Sequence, residues 1–253
     1  MQELFRLDGR IAFVSGARGH LGRQMTRALA GAGAHVIVNG RDDAALAEYE
    51  QALRAEGFSV ERAAFDMGDF AAVRAFFARR PRLDILVNNA VSMTVKPFAA
   101  LAPGDFAHTY ASAVTAAFEA VRAALPALKA AGGASVVNIA SMYAQAAPDA
   151  RLYDDPGGQS PFHYGPAKAG LLQLTRHLAA ELGPHDVRVN ALVPGPFPAN
   201  AAPDFAARLA ARTMLRRTGE AREIAGPLLF LASPAASYVT GACLAVDGGW
   251  TAW

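Results

Sequence analysis

Cysteine and charged residues are both scarce in this sequence. Cys243 is the single cysteine among 253 residues, so the chain can form neither an internal disulfide nor a metal site built on several thiolates. One cysteine favours a reducing compartment, and we expect a cytoplasmic protein. Charged residues make up 18% of the chain and the net charge is +2, without a basic block or an acidic tail. This composition argues against a nucleic-acid-binding surface.

The sequence also has little that suggests export or membrane insertion. Its first residues, MQELFRLDGR, are charged and lack the apolar core of a signal peptide. The longest uncharged run, Ile224–Val246, has enough residues to span a bilayer. It contains Pro227, Pro234 and Gly241, which predict a helix, a turn and a strand inside a soluble core.

Apolar residues are abundant, at 53%, and they alternate between β-branched runs and Ala-rich runs. The β-branched runs predict seven strands, at Ile11–Ser15, His35–Asn39, Ser59–Ala63, Ile85–Asn88, Ser135–Ile139, Val187–Leu192 and Cys243–Val246. Helical patterns lie between them, at Leu21–Gly31, Asp43–Glu56, Phe70–Ala78, Phe106–Lys129, Tyr164–Leu182 and Ile224–Leu231. This alternation predicts one α/β domain over residues 1–253, a Rossmann-type, doubly wound parallel sheet with helices on both faces. Cys243 then belongs to the core.

A glycine-rich turn follows the first predicted strand. The segment SGARGHLG places three glycines between a strand and a helix, where the backbone can approach a pyrophosphate and the helix offers free N–H groups. We predict a nucleotide site here rather than a plain tight turn. Its candidate residues are Ser15, Gly16, Arg18, Gly19, His20, Leu21 and Gly22.

The end of the second strand bears on the choice of nucleotide. Asn39, Gly40 and Arg41 offer no carboxylate for the ribose hydroxyls that NAD presents. Arg41 could pair with a 2′-phosphate, with help from Arg18. We therefore predict that NADP is preferred and that NAD is possible. The alternative is a solvated Arg41, and the adjacent Asp42 weakens the argument.

Tyr164 and Lys168 occupy one face of a predicted helix, in the segment YGPAK. A tyrosine is normally too weak an acid to exchange protons at neutral pH. A neighbouring ammonium favours the phenolate and lowers the tyrosine pKa, which would make Tyr164 an acid/base group. The spacing alone is common, so the assignment depends on the other motifs.

The motifs together resemble the short-chain dehydrogenase/reductase family over nearly the whole chain. The matching pieces are SGARGHLG (15–22), Asp66, LVNNA (86–90), VNIAS (137–141), YGPAK (164–168), RVNALVPG (188–195) and FLASPAASYVTGACLAVDGG (230–249). The resemblance implies hydride transfer between a nicotinamide and a carbonyl or secondary alcohol. It implies that Tyr164 is the acid/base, that Lys168 lowers its pKa and holds the nicotinamide ribose, and that Ser141 bonds the substrate oxygen.

The resemblance also implies cofactor contacts and self-association. Further cofactor contacts would come from Asn39, Asp66, Met67, Asn88, Ala90, Pro194, Gly195 and Phe197. The resemblance implies that no metal ion takes part in the site. A homo-oligomer, a dimer or a tetramer, would form through the helices Phe106–Lys129 and Tyr164–Leu182 and the C-terminal strand region. An alanine stripe could pack in that interface or against its own sheet; it comprises Ala113, Ala116, Ala117, Ala120 and Ala124.

Four positions depart from the family pattern. His20 replaces the middle glycine of the turn, and Val91 replaces the glycine after NNA. Ala113 stands where many members have an asparagine that serves a proton relay, with Ser112 beside it. Another polar group or water would then complete the relay, or turnover would be slow. The segment PGPFPAN lacks the threonine that usually follows PG in the family. The backbone near Phe197 is therefore expected to contact the carboxamide group of the nicotinamide.

Two long segments, Met142–His163 and Pro194–Pro203, fit no strand or helix. They belong to two loops, 142–163 and 194–215, that are predicted to line the substrate site. Ser141 and Tyr164 are 23 positions apart, so the first segment carries an insertion of roughly ten residues. Its charged and aromatic residues favour a polar substrate, a sugar, sugar acid or polyol; they are Asp149, Arg151, Tyr153, Asp154 and Asp155. A 3-oxoacyl-thioester reductase and a catalytically weak NAD(P)-binding regulatory protein are the alternatives.

Overall fold

The computed structural model describes residues 2–155 and 159–253, and it contains a seven-stranded parallel sheet. The strands are β1 (Ile11–Val14), β2 (His35–Gly40), β3 (Val60–Ala64), β4 (Ile85–Asn88), β5 (Ala134–Ile139), β6 (Val187–Pro194) and β7 (Cys243–Val246). Their order in the sheet is β3-β2-β1-β4-β5-β6-β7, and every neighbouring pair is parallel. The predicted doubly wound Rossmann-type sheet is confirmed.

Helices cover both faces of the sheet. They are α1 (His20–Gly31), α2 (Asp43–Ala55), α3 (Phe70–Phe77), α4 (Pro103–Tyr110), α5 (Ala116–Ala131), α6 (Tyr164–Leu182), α7 (Pro203–Ala211) and α8 (Ala225–Ala232). The strand residues alternate between the two cores: Val36 and Val38 pack with α1, α2 and α8, whereas Ile37 packs with α3, α5 and α6. Strands buried on both faces explain the continuous apolar runs in the sequence.

A π turn, Ala111–Thr115, joins α4 to α5, where the sequence predicts one regular helix from Phe106 to Lys129. Together they form a helix over Pro103–Ala131 that is apolar enough to span a membrane by length and composition. Its most apolar window is 56% buried inside the fold, as expected of a core helix. The alanine stripe, with Ala120 and Ala124 fully buried, faces the chain's own core, which excludes it from an intersubunit interface.

The two predicted substrate-site loops contain ordered elements. Residues 195–202, between β6 and α7, are irregular as predicted, whereas α7 lies within the predicted loop 194–215 and is a helix that the sequence does not predict. This helix begins at Pro203, and proline is favoured in the first turn of a helix. Segment 142–163 contains the 3₁₀ turns Met142–Ala144 and Ala150–Leu152, and its residues 156–158 lie outside the described part of the chain. The uncharged run near the C-terminus forms α8, a turn and β7, as predicted.

Cys243 is half-buried rather than a core residue, because β7 lies at the edge of the sheet. Partial burial raises the pKa of its thiol. A raised pKa disfavours the thiolate, the reactive form of a cysteine.

A buried polar network joins β4, β5 and α6. The Asn88 amide donates to the Asn138 side-chain oxygen at 2.9 Å, and the Asn138 amide donates to the Thr175 hydroxyl at 2.9 Å. Thr175 in turn donates to the Leu171 carbonyl at 2.8 Å. Because unpaired polar groups are costly in a core, these bonds fix the position of α6 relative to the two strands.

Candidate active site

A cavity of about 480 Å³ opens at the carboxyl ends of the strands, the usual ligand-binding edge of such a sheet. It is lined by sixteen of the residues predicted from the sequence: Gly16, Gly19, His20, Leu21, Gly22, Asn39, Arg41, Asp66, Met67, Ala90, Ser141, Tyr164, Lys168, Pro194, Gly195 and Phe197. The turn after β1, the ends of five further strands and the start of α6 therefore meet at one site.

The glycine turn has the geometry that a dinucleotide requires. Gly16 has a φ of +63°, which favours glycine, and a Cβ on Gly22 would collide with the Gly16 carbonyl oxygen. The N-cap of α1 is Gly19, which supplies no side-chain hydrogen bond to the helix. The first N–H groups of α1 are thereby left to a pyrophosphate, which the helix dipole would also attract. These residues fit a dinucleotide cofactor.

Arg41 and Asp66 meet on the rim of the cavity, where Arg41 Nη1 lies 3.9 Å from Asp66 Oδ2. The Arg41 side chain is 74% exposed and can turn toward a ligand. Asp42, the residue that weakened the sequence argument, instead caps α2 by accepting from the Ala45 N–H at 3.0 Å. Its carboxylate is therefore used by the helix and leaves Arg41 available for a phosphate.

Three predicted cofactor residues, Ser15, Arg18 and Asn88, lie outside the cavity lining. Ser15 Oγ accepts from the N–H groups of Asn89 at 2.9 Å and Ala90 at 3.0 Å, so it joins β1 to the segment after β4. Asn88 belongs to the buried network beneath the site. The main-chain carbonyl of Arg18 accepts a hydrogen bond from the Arg23 side chain. The Nε atom of the Arg18 side chain is buried.

Asn89 lines the cavity although the sequence analysis favoured its neighbour Asn88. The Asn89 side-chain amide donates to the carbonyls of Ser15 at 2.8 Å and Gly16 at 3.1 Å, and so supports the glycine turn. The alternation of side chains along a strand could have identified Asn89. Successive side chains of the Asn88–Asn89 pair point in opposite directions, so one of the two must face the glycine turn.

Lys168 is the most deeply buried charged group of the site, with an exposed fraction of 2%. Its Nζ donates to the Ile139 carbonyl at the end of β5, at 2.6 Å, and lies 5.6 Å from the centre of the Tyr164 ring. Burial lowers the pKa of Lys168 to about 8. The ammonium therefore stays mostly charged at neutral pH and sits next to the phenol.

The pKa of Tyr164 is raised in the structure, whereas the sequence predicted that Lys168 would lower it. Burial causes the rise, and a hydrogen bond with Ser141 acts in the opposite direction. Removal from water disfavours the phenolate more than the hydrogen bond with Ser141 favours it. The Tyr164 phenol is therefore protonated in this state, and it lies with Ser141 at the cavity.

The segment that carries Ser141 packs closely on the first turn of α6. The Tyr143 N–H donates to Ser141 Oγ at 3.2 Å, which fixes the serine hydroxyl. A Cβ placed on Gly165 would lie 2.7 Å from the Tyr143 carbonyl oxygen. The glycine of YGPAK is therefore what allows Ser141 and Tyr164 to approach each other.

Ala113 is buried in the π turn, and Ser112 beside it reaches the cavity. Ser112 Oγ donates to the Ser92 carbonyl at 2.8 Å and accepts from the Ser92 N–H at 3.1 Å, so it ties the segment after β4 to the π turn. A small cavity of about 10 Å³ lies between Ala113 and Asn88, room for about one water.

Phe197 reaches the cavity because Gly219 leaves room for its ring; a Cβ on Gly219 would collide with that ring. Gly195, two residues earlier, packs against Asp247, which a Cβ would approach to 2.5 Å. The turn after β6 is thus held against the end of β7 at the edge of the cavity.

The fold and the site together define an oxidoreductase that binds a dinucleotide, and comparison with known proteins agrees. A family model described as enoyl-(acyl carrier protein) reductase matches residues 16–251. The chain is 38% identical to galactitol 2-dehydrogenase (L-tagatose-forming) of Cereibacter sphaeroides, over 99% of this chain and 98% of that protein. It is 33% identical to L-rhamnose 1-dehydrogenase (NAD(P)(+)) of Azotobacter vinelandii, over 96% of this chain and 97% of that protein.

Among solved structures, gluconate 5-dehydrogenase of Burkholderia cenocepacia, in complex with NADP and tartrate, is similar throughout. The TM-score is 0.89 at 31% identity, over 100% of this chain and 99% of that one. The chain belongs to the short-chain dehydrogenase/reductase family. It is an oxidoreductase that acts on CH–OH groups.

The close contact between Gly165 and the Tyr143 carbonyl can be tested by adding a methyl group at position 165. In Gly165→Ala the added methyl group displaces the Ser141 segment from Tyr164, and kcat/KM should fall roughly tenfold to a hundredfold, with little change in cofactor affinity. Steady-state kinetics and fluorescence titration with NADPH measure the two effects. Gly226→Ala in α8 is the matched control, because a Cβ there meets no described atom within 4 Å. Equal kcat/KM in the two variants would contradict the role of Gly165.

Proposed function

We propose that the protein is an NADP(H)-linked dehydrogenase of a polyhydroxy substrate, a sugar, sugar acid or polyol. One observation carries the proposal: a single cavity has the glycine turn and Arg41 at one end and Ser141, Tyr164 and Lys168 at the other. A dinucleotide laid along it would present its nicotinamide to the tyrosine and its adenine ribose to Arg41. NAD remains usable, because the interactions expected at Arg41 concern only the 2′-phosphate.

The proposed chemistry assigns one task to each side chain. The bound nicotinamide accepts a hydride during alcohol oxidation and supplies one during carbonyl reduction. Ser141 bonds the reacting oxygen and orients it toward Tyr164. In the oxidation direction the phenolate of Tyr164 takes the hydroxyl proton as the carbinol carbon loses its hydride. The Lys168 ammonium stabilises that phenolate and holds the ribose.

Three considerations support a polar substrate over the alternatives. Several similar proteins are named for galactitol, rhamnose and gluconate, which are all polyhydroxy compounds. Asp149 and Asp154 of the insertion after Ser141 pair with arginines, which reduces the positive charge that could attract the acidic carrier of a 3-oxoacyl thioester. The intact Ser141, Tyr164 and Lys168 favour an enzyme over a regulatory protein that only binds the cofactor.

We further propose a cytoplasmic homo-oligomer, a dimer or a tetramer. Large side chains on α4 and α5 are exposed in the single chain: Phe106 at 39%, Tyr110 at 49% and Phe118 at 42%. Exposed aromatic residues of this kind are typical of protein–protein interfaces. The interface would use these residues instead of the buried alanine stripe.

Tyr164→Phe tests the assignment of the acid/base. Removing the hydroxyl should lower kcat by roughly 10²–10⁴-fold, because no group then exchanges the proton of the reacting oxygen. The dissociation constant for NADPH, measured by fluorescence titration, should change little. Unaltered turnover would exclude Tyr164 as the acid/base.

Arg41→Ala tests the preference for NADP. Loss of a charge-assisted hydrogen bond to the 2′-phosphate should weaken NADPH about tenfold or more and leave NADH within about twofold. Calorimetric titration with both cofactors measures the difference. Arg79→Ala, an exposed arginine that follows α3, is the control. Equal losses for NADPH and NADH would refute the phosphate role.

A further inference from the structure

Two serines line the cavity in addition to Ser141, and the proposed chemistry uses neither of them. Ser92 belongs to the segment after β4, and Ser112 belongs to the π turn. The Ser112 hydroxyl is already committed, because it donates to the carbonyls of Ser92 at 2.8 Å and Thr109 at 3.1 Å and accepts from the Ser92 N–H at 3.1 Å. The Ser92 hydroxyl is the one of the two that can still bind a ligand.

Among the described residues, the Ser92 hydroxyl has one hydrogen-bond partner, the Nε2 atom of His108 at 3.0 Å. His108 lies in the last turn of α4 and is exposed to solvent. A serine hydroxyl has one proton and two lone pairs. If His108 donates, Ser92 keeps its proton for a ligand; if His108 accepts, Ser92 keeps both lone pairs. A hydroxyl group suits both cases, because it can donate as well as accept.

The segment that carries Ser92 runs toward the catalytic groups. Because β4 and β5 are neighbours in the sheet, the segments that follow them, with Ser92 and Ser141, leave the sheet side by side. Val91, the residue before Ser92, packs against an apolar cluster that contains Ala167 of α6. Ala167 is three positions after Tyr164, so it lies on the same side of the helix. Ser92 therefore follows a residue that is packed against the first turns of α6.

The helix that carries His108 also reaches the start of α6. The ring of Phe106 on α4 lies 5.8 Å from the ring of His163, with an edge-to-face geometry. His163 is buried and directly precedes Tyr164. The Ser92–His108 pair is thus formed by two elements that both contact the helix of the acid/base.

The position of the Ser92 hydroxyl is fixed by the contacts of its segment. The N–H and the carbonyl of Ser92 both bond the Ser112 hydroxyl. A few residues later, Thr94 Oγ1 at 2.9 Å and Lys96 Nζ at 2.7 Å donate to one carboxylate oxygen of Asp105, which is buried in the first turn of α4. A polar group that is already held in place binds a ligand without a large ordering cost.

We propose that Ser92 binds a second hydroxyl of the substrate, in addition to the one that reacts, and that His108 is a positioning residue that orients the Ser92 hydroxyl. The inference rests on the proposed function and deepens it, since it assigns the selection of polyhydroxy compounds over simple secondary alcohols to one side chain. A site that bonds a substrate hydroxyl rejects the analogue without it, because the polar group of the site is then left unpaired.

The test compares one polyhydroxy substrate with analogues that each lack one of its hydroxyls. The parent is the compound with the highest kcat/KM in a panel of polyols, sugars and aldonates, and the analogues are its monodeoxy derivatives. Wild-type kcat/KM should fall at least about tenfold for one analogue. Ser92→Ala should lower kcat/KM for the parent about tenfold, mainly through KM, and leave that analogue within about twofold, because the bond is already absent.

Further variants separate recognition from structure. Ser92→Thr keeps a hydroxyl and should restore kcat/KM for the parent to within about threefold of wild type. His108→Ala should lower it about three- to tenfold, and adding His108→Ala to Ser92→Ala should cost nothing more, because His108 acts through Ser92. Ser237→Ala and His185→Ala, at exposed positions outside the cavity lining, are the matched controls. NADPH affinity, measured by fluorescence titration, should be unchanged in every variant.

The outcomes separate the two proposals. Equal losses for parent and analogue in Ser92→Ala, or a wild-type kcat/KM that no missing hydroxyl changes, overturn the role of Ser92 and leave the proposed function intact. Weaker NADPH binding in Ser92→Ala assigns the hydroxyl to the cofactor and also overturns that role. Additive losses in the double variant overturn the positioning role of His108. Absence of nicotinamide-linked turnover with the whole panel overturns the proposed function and this inference together.

Discussion

The hydrogen bond from the buried Lys168 ammonium to the Ile139 carbonyl is the contact around which the site is arranged. It joins the first turns of α6 to the end of β5, where Ser141 follows two residues later. An ammonium removed from water is costly, and burial at this position lowers the lysine pKa. Groups with strongly perturbed pKa values in a cleft are typical of functional sites. The Asn138–Thr175 bond beneath it keeps strand and helix in register.

A second constraint on the site is that neighbouring segments must approach each other closely at three glycines. Gly22 lets α1 pack on the glycine turn, Gly165 lets the Ser141 segment pack on α6, and Gly219 makes room for the ring of Phe197. In each case a Cβ would enter space occupied by a neighbouring group. These three contacts lie around one cavity, so that small movements at any of them would displace residues that line it.

The sequence predicted the sheet well because the central strands are short apolar runs buried on both faces. It predicted most of the cavity lining, since residues at the ends of parallel strands meet at one edge. It missed α7 because alanines and prolines obscure its apolar face, and it missed the π turn, which has no distinct residue pattern. The positions of Ser15 and Asn88 behind the cavity, and the pairing of Ser92 with His108, arise from tertiary contacts that spacing along the chain does not encode.

The central claim is that a water-excluded, charged lysine lies beside Tyr164, and a direct titration of Lys168 tests it. NMR of protein labelled at the lysine side-chain carbons, with Lys168→Met to assign the signal, gives the pKa of this one amine. We expect a pKa of about 8 in the cofactor-free protein. A value near 10.4, that of a lysine in water, would contradict it.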